Sequence, residues 1–161
     1  MATVNLSDYD KSKITSTEGM KFGICVAQWN EQITNGLLEG AIQGLKENGA
    51  TDQQIIVKYV PGSFELILGA QFFCESTEVD AVICLGSVIQ GETKHFDFVC
   101  QAVAQGIKDV SLKYNKPVIF GVLTDNNMQQ AVERSGGNKG NKGTEAAITA
   151  IQMVALQKSF N

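Results

Sequence analysis

Histidine, tryptophan and arginine occur once each in this chain, at His95, Trp29 and Arg134. The four cysteines, Cys25, Cys74, Cys84 and Cys100, are separated by long, irregular gaps. There is no Cys-x-x-Cys pair and no Cys/His spacing able to close a tetrahedral site, so a zinc centre is excluded. All four cysteines lie in apolar stretches, which reads as small buried side chains in a reducing compartment. Basic residues do not cluster and the net charge is −4, so the electrostatic footprint of a nucleic-acid binder is missing. No apolar run approaches the roughly 18 residues of a membrane span, and the opening "MATVNLSDYDKSKITSTEGM" lacks a hydrophobic signal core. These absences predict a soluble, cytoplasmic protein. The G-x-G-x-x-G fingerprint is absent. "SGGNKGNKGT" fails the spacing of a phosphate-binding P-loop and follows a helix rather than a strand, which excludes both kinds of nucleotide site.

What is present describes an ordinary globular chain. At 161 residues, 43% hydrophobic and 19% charged, it fits one domain. A domain of this size buries roughly 70% of its unfolded surface and needs no metal or disulfide staple. Residues 1–20 are polar and aperiodic, which predicts an N-terminal arm outside the core, and 21–161 read as a single α/β domain. Four short Val/Ile-rich runs follow: "KFGICVAQ" (21–28), "QIIVKYV" (54–60), "DAVICLGSVI" (80–89) and "KPVIFGVLT" (116–124). Near-continuous apolar runs of that length suit strands buried on both faces of a parallel sheet.

Helical patterns separate these runs. Ile33, Leu37, Ala41 and Leu45 recur every four residues, and Gly49 is placed to cap the end. "SFELILGAQFFCES" predicts a second helix, apolar throughout, and Val99, Val103, Ile107 and Val110 mark a third. Beyond the fourth strand the pattern gives a short helix from about Asn126 to Arg134, a Gly/Asn/Lys loop, and a longer helix from about Thr144. Such alternation predicts right-handed βαβ units with helices on both faces of the sheet.

Ligands of open α/β sheets bind beyond the carboxyl ends of the strands. That rule selects "AQWN" (27–30), "VPGSFE" (60–65), "SVIQGETKH" (87–95) and "LTDNN" (123–127). Trp29 either stacks on a flat heteroaromatic ring or packs on its own helix. Glu65 either complements a helix dipole or accepts hydrogen bonds from a polyol. In "QGETKH", Gly91 permits an unusual turn, and the amides that open the next helix, with the Thr93 hydroxyl, suit a phosphate. A positive helix end disfavours the imidazolium, which would leave His95 able to accept and return a proton; the alternative is a solvated histidine. Arg134 either binds phosphate in a bidentate manner or serves as a cation at a helix C-terminus.

Taken together, "WNEQITNGLLEGA", "VPGSFELILGAQ", "CLGSVIQGETKHFDFV", "KPVIFGVLT", "AVERSGG" and "GNKGTEAA" resemble the 6,7-dimethyl-8-ribityllumazine synthase family over roughly residues 20–158. The resemblance implies a flavodoxin-like three-layer sandwich with a four-stranded parallel sheet. It implies a transferase that condenses 5-amino-6-(D-ribitylamino)uracil with 3,4-dihydroxy-2-butanone 4-phosphate, losing phosphate and water, in the penultimate step of riboflavin biosynthesis. No cofactor or metal is implied. By resemblance Trp29 stacks on the pyrimidine, and Ser63, Phe64 and Glu65 hold the ribityl chain. The backbone of Ser87, Val88 and Ile89 reads the pyrimidine edge. Glu92, Thr93 and Arg134 match the phosphate site, His95 the proton-transfer histidine, and Phe120 and Lys142 residues contributed by a neighbouring subunit.

Many family members carry phenylalanine at the Trp29 position, and Lys94 stands where other residues are frequent. The resemblance further implies a homopentamer with its site at the subunit interface, in some members a 60-subunit icosahedral shell, and riboflavin synthase as a partner. The short loop between Arg134 and Lys142 favours the shell. Two other readings share the fold: a flavin- or lumazine-binding module without turnover, and a structural shell protein.

Overall fold

A computed structural model describes residues 5–161. Four parallel strands form the central sheet in the order β2-β1-β3-β4, with β1 at Phe22–Ala27, β2 at Ile55–Val60, β3 at Ala81–Ile89 and β4 at Val118–Asp125. All six residues of β1 are buried, as its continuous apolar run requires of a central strand. Edge strand β2 leaves Lys58 and Tyr59 exposed. The four-stranded sheet and its flanking helices are those of the expected three-layer α/β fold.

Helices α1 (Glu31–Glu47) and α5 (Lys142–Ser159) cover one face, where Leu37, Leu45 and Ile151 meet Ile24 and Ile83. Helices α2 (Leu66–Ser76) and α3 (His95–Tyr114) cover the other, with Leu66, Val103 and Ile107 against Val82 and Val122. The short α4 (Met128–Arg134) follows β4 and buries Ala131 in the first cluster.

Helix α1 ends at C-cap Asn48, one residue before the expected glycine. Gly49 follows in the left-handed region (φ 101°), and its amide and that of Ala50 return to the carbonyls of Lys46 and Leu45. This is the paired closure that a residue without a Cβ permits.

Several expectations need correction. Helix α5 begins at Lys142 rather than near Thr144, because the Asn141 side chain accepts hydrogen bonds from the amides of Gly143 (2.8 Å) and Thr144 (3.3 Å). The preceding Gly/Asn/Lys stretch is not a plain loop but a small antiparallel pair, β5 (Ser135–Gly137) and β6 (Gly140–Asn141). Helix α2 buries only one side, with Leu68 and Phe72 exposed. Cys25 and Cys84 are buried as expected, whereas Cys74 and Cys100 are half-buried. Met20, expected outside the core, belongs to it, and Thr17 is buried with its hydroxyl donating to the Asn48 carbonyl at 3.0 Å. Residues 1–4 of the expected arm lie outside the described residues.

Candidate active site

The loops that follow β1 and β2 are tied together by backbone. The amide of Gln28 donates to the Val60 carbonyl at 2.8 Å, and that of Trp29 to the Pro61 carbonyl at 3.0 Å. These bonds bring the indole over Gly62, where an added Cβ would overlap the six-membered ring. Trp29 is 68% exposed and lies over the neighbouring loop. Ser63, Phe64 and Glu65 form a 3₁₀ turn entering α2. Glu65 reaches back, its Oε2 accepting from the Gly62 amide at 3.1 Å. Ser63 is buried with its hydroxyl against Gly86 of β3, and Phe64 is exposed.

Strand β3 outruns β1. Pairing with β1 ends at Val26 and Leu85, whereas pairing with β4 continues to Ile89 and Asp125. The backbone of Ser87–Ile89 is therefore free of strand partners on the β1 side. Asn30 meets it there: its backbone is left-handed (φ 60°, ψ 48°) and its Nδ2 donates to the Ser87 carbonyl at 2.8 Å. Ser87 is buried and its hydroxyl has no partner among the described residues. Val88 and Ile89 are half-buried and pack into opposite core clusters.

The turn after β3 leads into α3, whose first residue is His95, exposed like Glu92, Thr93 and Lys94. Among the described residues, the amides of Glu92, Thr93 and Lys94 donate to no protein group. The His95 amide makes a long bond to the Thr93 hydroxyl at 3.4 Å, which occupies one lone pair of that oxygen. Gly91, expected to permit an unusual turn, does not adopt left-handed backbone; the space around it is open, and nothing lies within 4 Å of where a Cβ would stand.

The remaining predicted residues gather elsewhere. Phe120, Arg134 and Lys142 line a cavity of 470 Å³ along the free edge of β4, which none of the residues of the first group lines. The Arg134 side chain donates to the Gln130 carbonyl at 3.4 Å and lies 3.8 Å from Asp125 Oδ1. Lys142 forms an ion pair with Glu145 at 3.0 Å. Burial raises the Asp125 carboxyl above its ordinary value, and the Arg134 guanidinium opposes that rise. Asn30 and Asp125 received no role from the sequence, although both stand in the selected loops. A left-handed backbone and a buried carboxylate leave no local signature.

Among the described residues no group of acidic, cysteine or histidine side chains could hold a metal ion, and no helix is long and apolar enough to cross a membrane. The arrangement sets an exposed indole and a carboxylate at one end, and free amides and an imidazole at the other.

The sequence profile of the 6,7-dimethyl-8-ribityllumazine synthase family matches residues 19–158. A protein of that name from Flavobacterium johnsoniae is 57% identical over 154 residues, covering 96% of this chain and 81% of that protein. Others so named are those of Christiangramia forsetii, 56% identical over 96% of this chain and 92% of its own length, and Phocaeicola vulgatus, 53% identical over 99% and 96%.

Proposed function

The chain belongs to the 6,7-dimethyl-8-ribityllumazine synthase family, and from that premise we propose how its residues divide the work. The reaction condenses 5-amino-6-(D-ribitylamino)uracil with 3,4-dihydroxy-2-butanone 4-phosphate to 6,7-dimethyl-8-ribityllumazine, releasing phosphate and water. In our reading the Trp29 indole stacks on the pyrimidine. The backbone of Ser87, Val88 and Ile89, on the side turned away from β4, hydrogen-bonds the pyrimidine edge, and Glu65, with Ser63 and Phe64, holds the ribityl chain. The free amides of Glu92 and Thr93 receive the phosphate at the opening of α3.

His95 then lies between the phosphate and the joined carbons. Its imidazole takes a proton from the attacking amine and passes it to the carbonyl oxygen that leaves as water, then takes the proton from the carbon between the imine and the phosphate-bearing carbon and passes it to the departing phosphate. Most of the acceleration comes from holding the two substrates together, worth on the order of 7–11 kcal/mol at best.

The observation that carries this reading is the convergence of Trp29, Ser63, Glu65 and Ser87 at the carboxyl ends of three adjacent parallel strands, with His95 opening the helix after the third. A second observation bears on assembly. Phe120, Lys142 and also Arg134 line a separate cavity at the β4 edge. We propose that a neighbouring copy delivers that cavity to the first group, so that the complete site exists only in a homo-oligomer. The pentamer is the assembly we propose, closing into a 60-subunit shell, with riboflavin synthase as its partner and the cytoplasm as its compartment. In it the chain acts as a single unit, its first twenty residues an arm whose Thr17 and Met20 are buried against residues 21–161.

The test is to mix both substrates with the protein and follow lumazine absorbance. His95→Ala is expected to slow turnover by about 10²–10⁴-fold without abolishing it, since orientation survives. Arg134→Ala is expected to raise the KM for the butanone phosphate. Full activity in His95→Ala would remove the histidine from the mechanism.

A further inference from the structure

At the end of β4 a carboxylate is buried where the fold does not need one. Asp125 is 5% exposed, and its Oδ2 has no partner among the described residues. Its backbone carbonyl already serves the sheet edge, accepting from the Gln90 amide at 2.9 Å. A buried charge costs several kcal/mol unless it is paired, and a well-packed apolar side chain commonly does better at such a position. The cation that faces Asp125 is Arg134, with the guanidinium 3.8 Å from Oδ1.

That distance is too long for a hydrogen bond but short for Coulomb attraction in a half-buried cavity. Among the described residues, the one other group to which Arg134 donates is the Gln130 carbonyl, at 3.4 Å, near the limit of a useful bond. Without Asp125 a long side chain at the last residue of α4 would be free to swing into solvent. Asp125 cannot swing, because it belongs to a strand paired through its last residue.

We propose that Asp125 is a positioning residue that holds the Arg134 guanidinium over the end of β4, ready for the phosphate of the butanone substrate. This rests on the reading of Arg134 as a phosphate ligand. The carboxylate acts through Arg134 and touches no substrate. Both contacts are made by Nη1, so Nη2 and Nε stay available, and an arriving phosphate meets a cation that has already lost its rotamer freedom.

The experiment compares wild type, Asp125→Asn, Asp125→Glu, Arg134→Ala and the double variant Asp125→Asn/Arg134→Ala. Each is assayed for lumazine formation with the butanone phosphate varied, then with the uracil varied, then with inorganic phosphate as inhibitor. Asp125→Asn is expected to raise the KM for butanone phosphate and the inhibition constant of phosphate by about fivefold, the loss of one ion pair. Its kcat and its KM for the uracil stay near wild type. Asp125→Glu recovers part of the effect, and the double variant is no worse than Arg134→Ala alone. A lowered or unchanged KM in Asp125→Asn, or a loss spread equally over both substrates, overturns the proposal. If Arg134→Ala itself leaves phosphate affinity intact, the underlying reading of Arg134 fails, and the role of Asp125 fails with it.

Discussion

The place of Trp29 depends on an atom that Gly62 lacks. The indole lies on the glycine, and a Cβ there would occupy the ring's volume. Gly62→Ala is therefore expected to displace the indole while leaving the buried sheet intact. The uracil substrate should bind about tenfold more weakly, of the order of one lost stacking contact, and the intrinsic tryptophan emission should shift. Unchanged affinity would show that Trp29 does not stack. Asp125 supplies a prediction about stability at the same scale. Its carboxyl is raised from 3.8 in the fold by burial, so the native state holds this proton more tightly than the unfolded chain does. The group's contribution is most favourable at low pH and declines as pH climbs from 3.8 through the native value. Thermal unfolding across a pH series should show the Tm difference between Asp125→Asn and wild type moving in the variant's favour over that window, then levelling. A difference that is flat with pH would mean the buried carboxylate costs nothing.

Helix α5 owes its start to one side chain. Asn141 caps it by accepting from two amides and also donates to the Gly36 carbonyl at 2.9 Å, which ties α5 to α1. Asn141→Ala should cost about 1–2 kcal/mol, read in a melting experiment as a Tm roughly 3–6 °C lower at this chain length. The same residue explains why the helix began earlier than the sequence suggested. Local composition around Lys142 and Gly143 reads as loop, and the bond that fixes the helix reaches across 105 positions to Gly36. The four strands were legible because runs such as "AVICLGSVI" carry their burial in their own composition. Helix α2 was legible as a helix but not in its sidedness, since nothing in "LILGAQFFCES" marks Leu68 and Phe72 as the exposed members.

For the whole molecule, the selected loops converged because parallel strands share one carboxyl end, and that rule needs only the strand order. The grouping of Arg134 with Phe120 and Lys142 was not legible, because it depends on which side of an edge strand α4 and α5 leave their ends. That grouping makes the composite site testable without a crystal. His95→Ala and Arg134→Ala are damaged in different groups of residues. If each complete site draws one group from each of two copies, co-refolding equal amounts of the two variants should regenerate about a quarter of the wild-type sites. Activity no higher than the sum of the separate variants would place both groups of one chain in one site.

Cys25 and Cys84 face each other on adjacent strands, both fully buried and free. Burial pushes the Cys25 thiol up to about 12 and raises Cys84 well above its ordinary value. Neither thiolate forms in the native sheet, so neither reacts until β1 and β3 separate. The molecule thus carries its own unfolding clock. In a pulse of alkylating reagent, half-buried Cys74 and Cys100 should be modified early, while the Cys25 and Cys84 peptides should gain mass together and only at the rate of global opening.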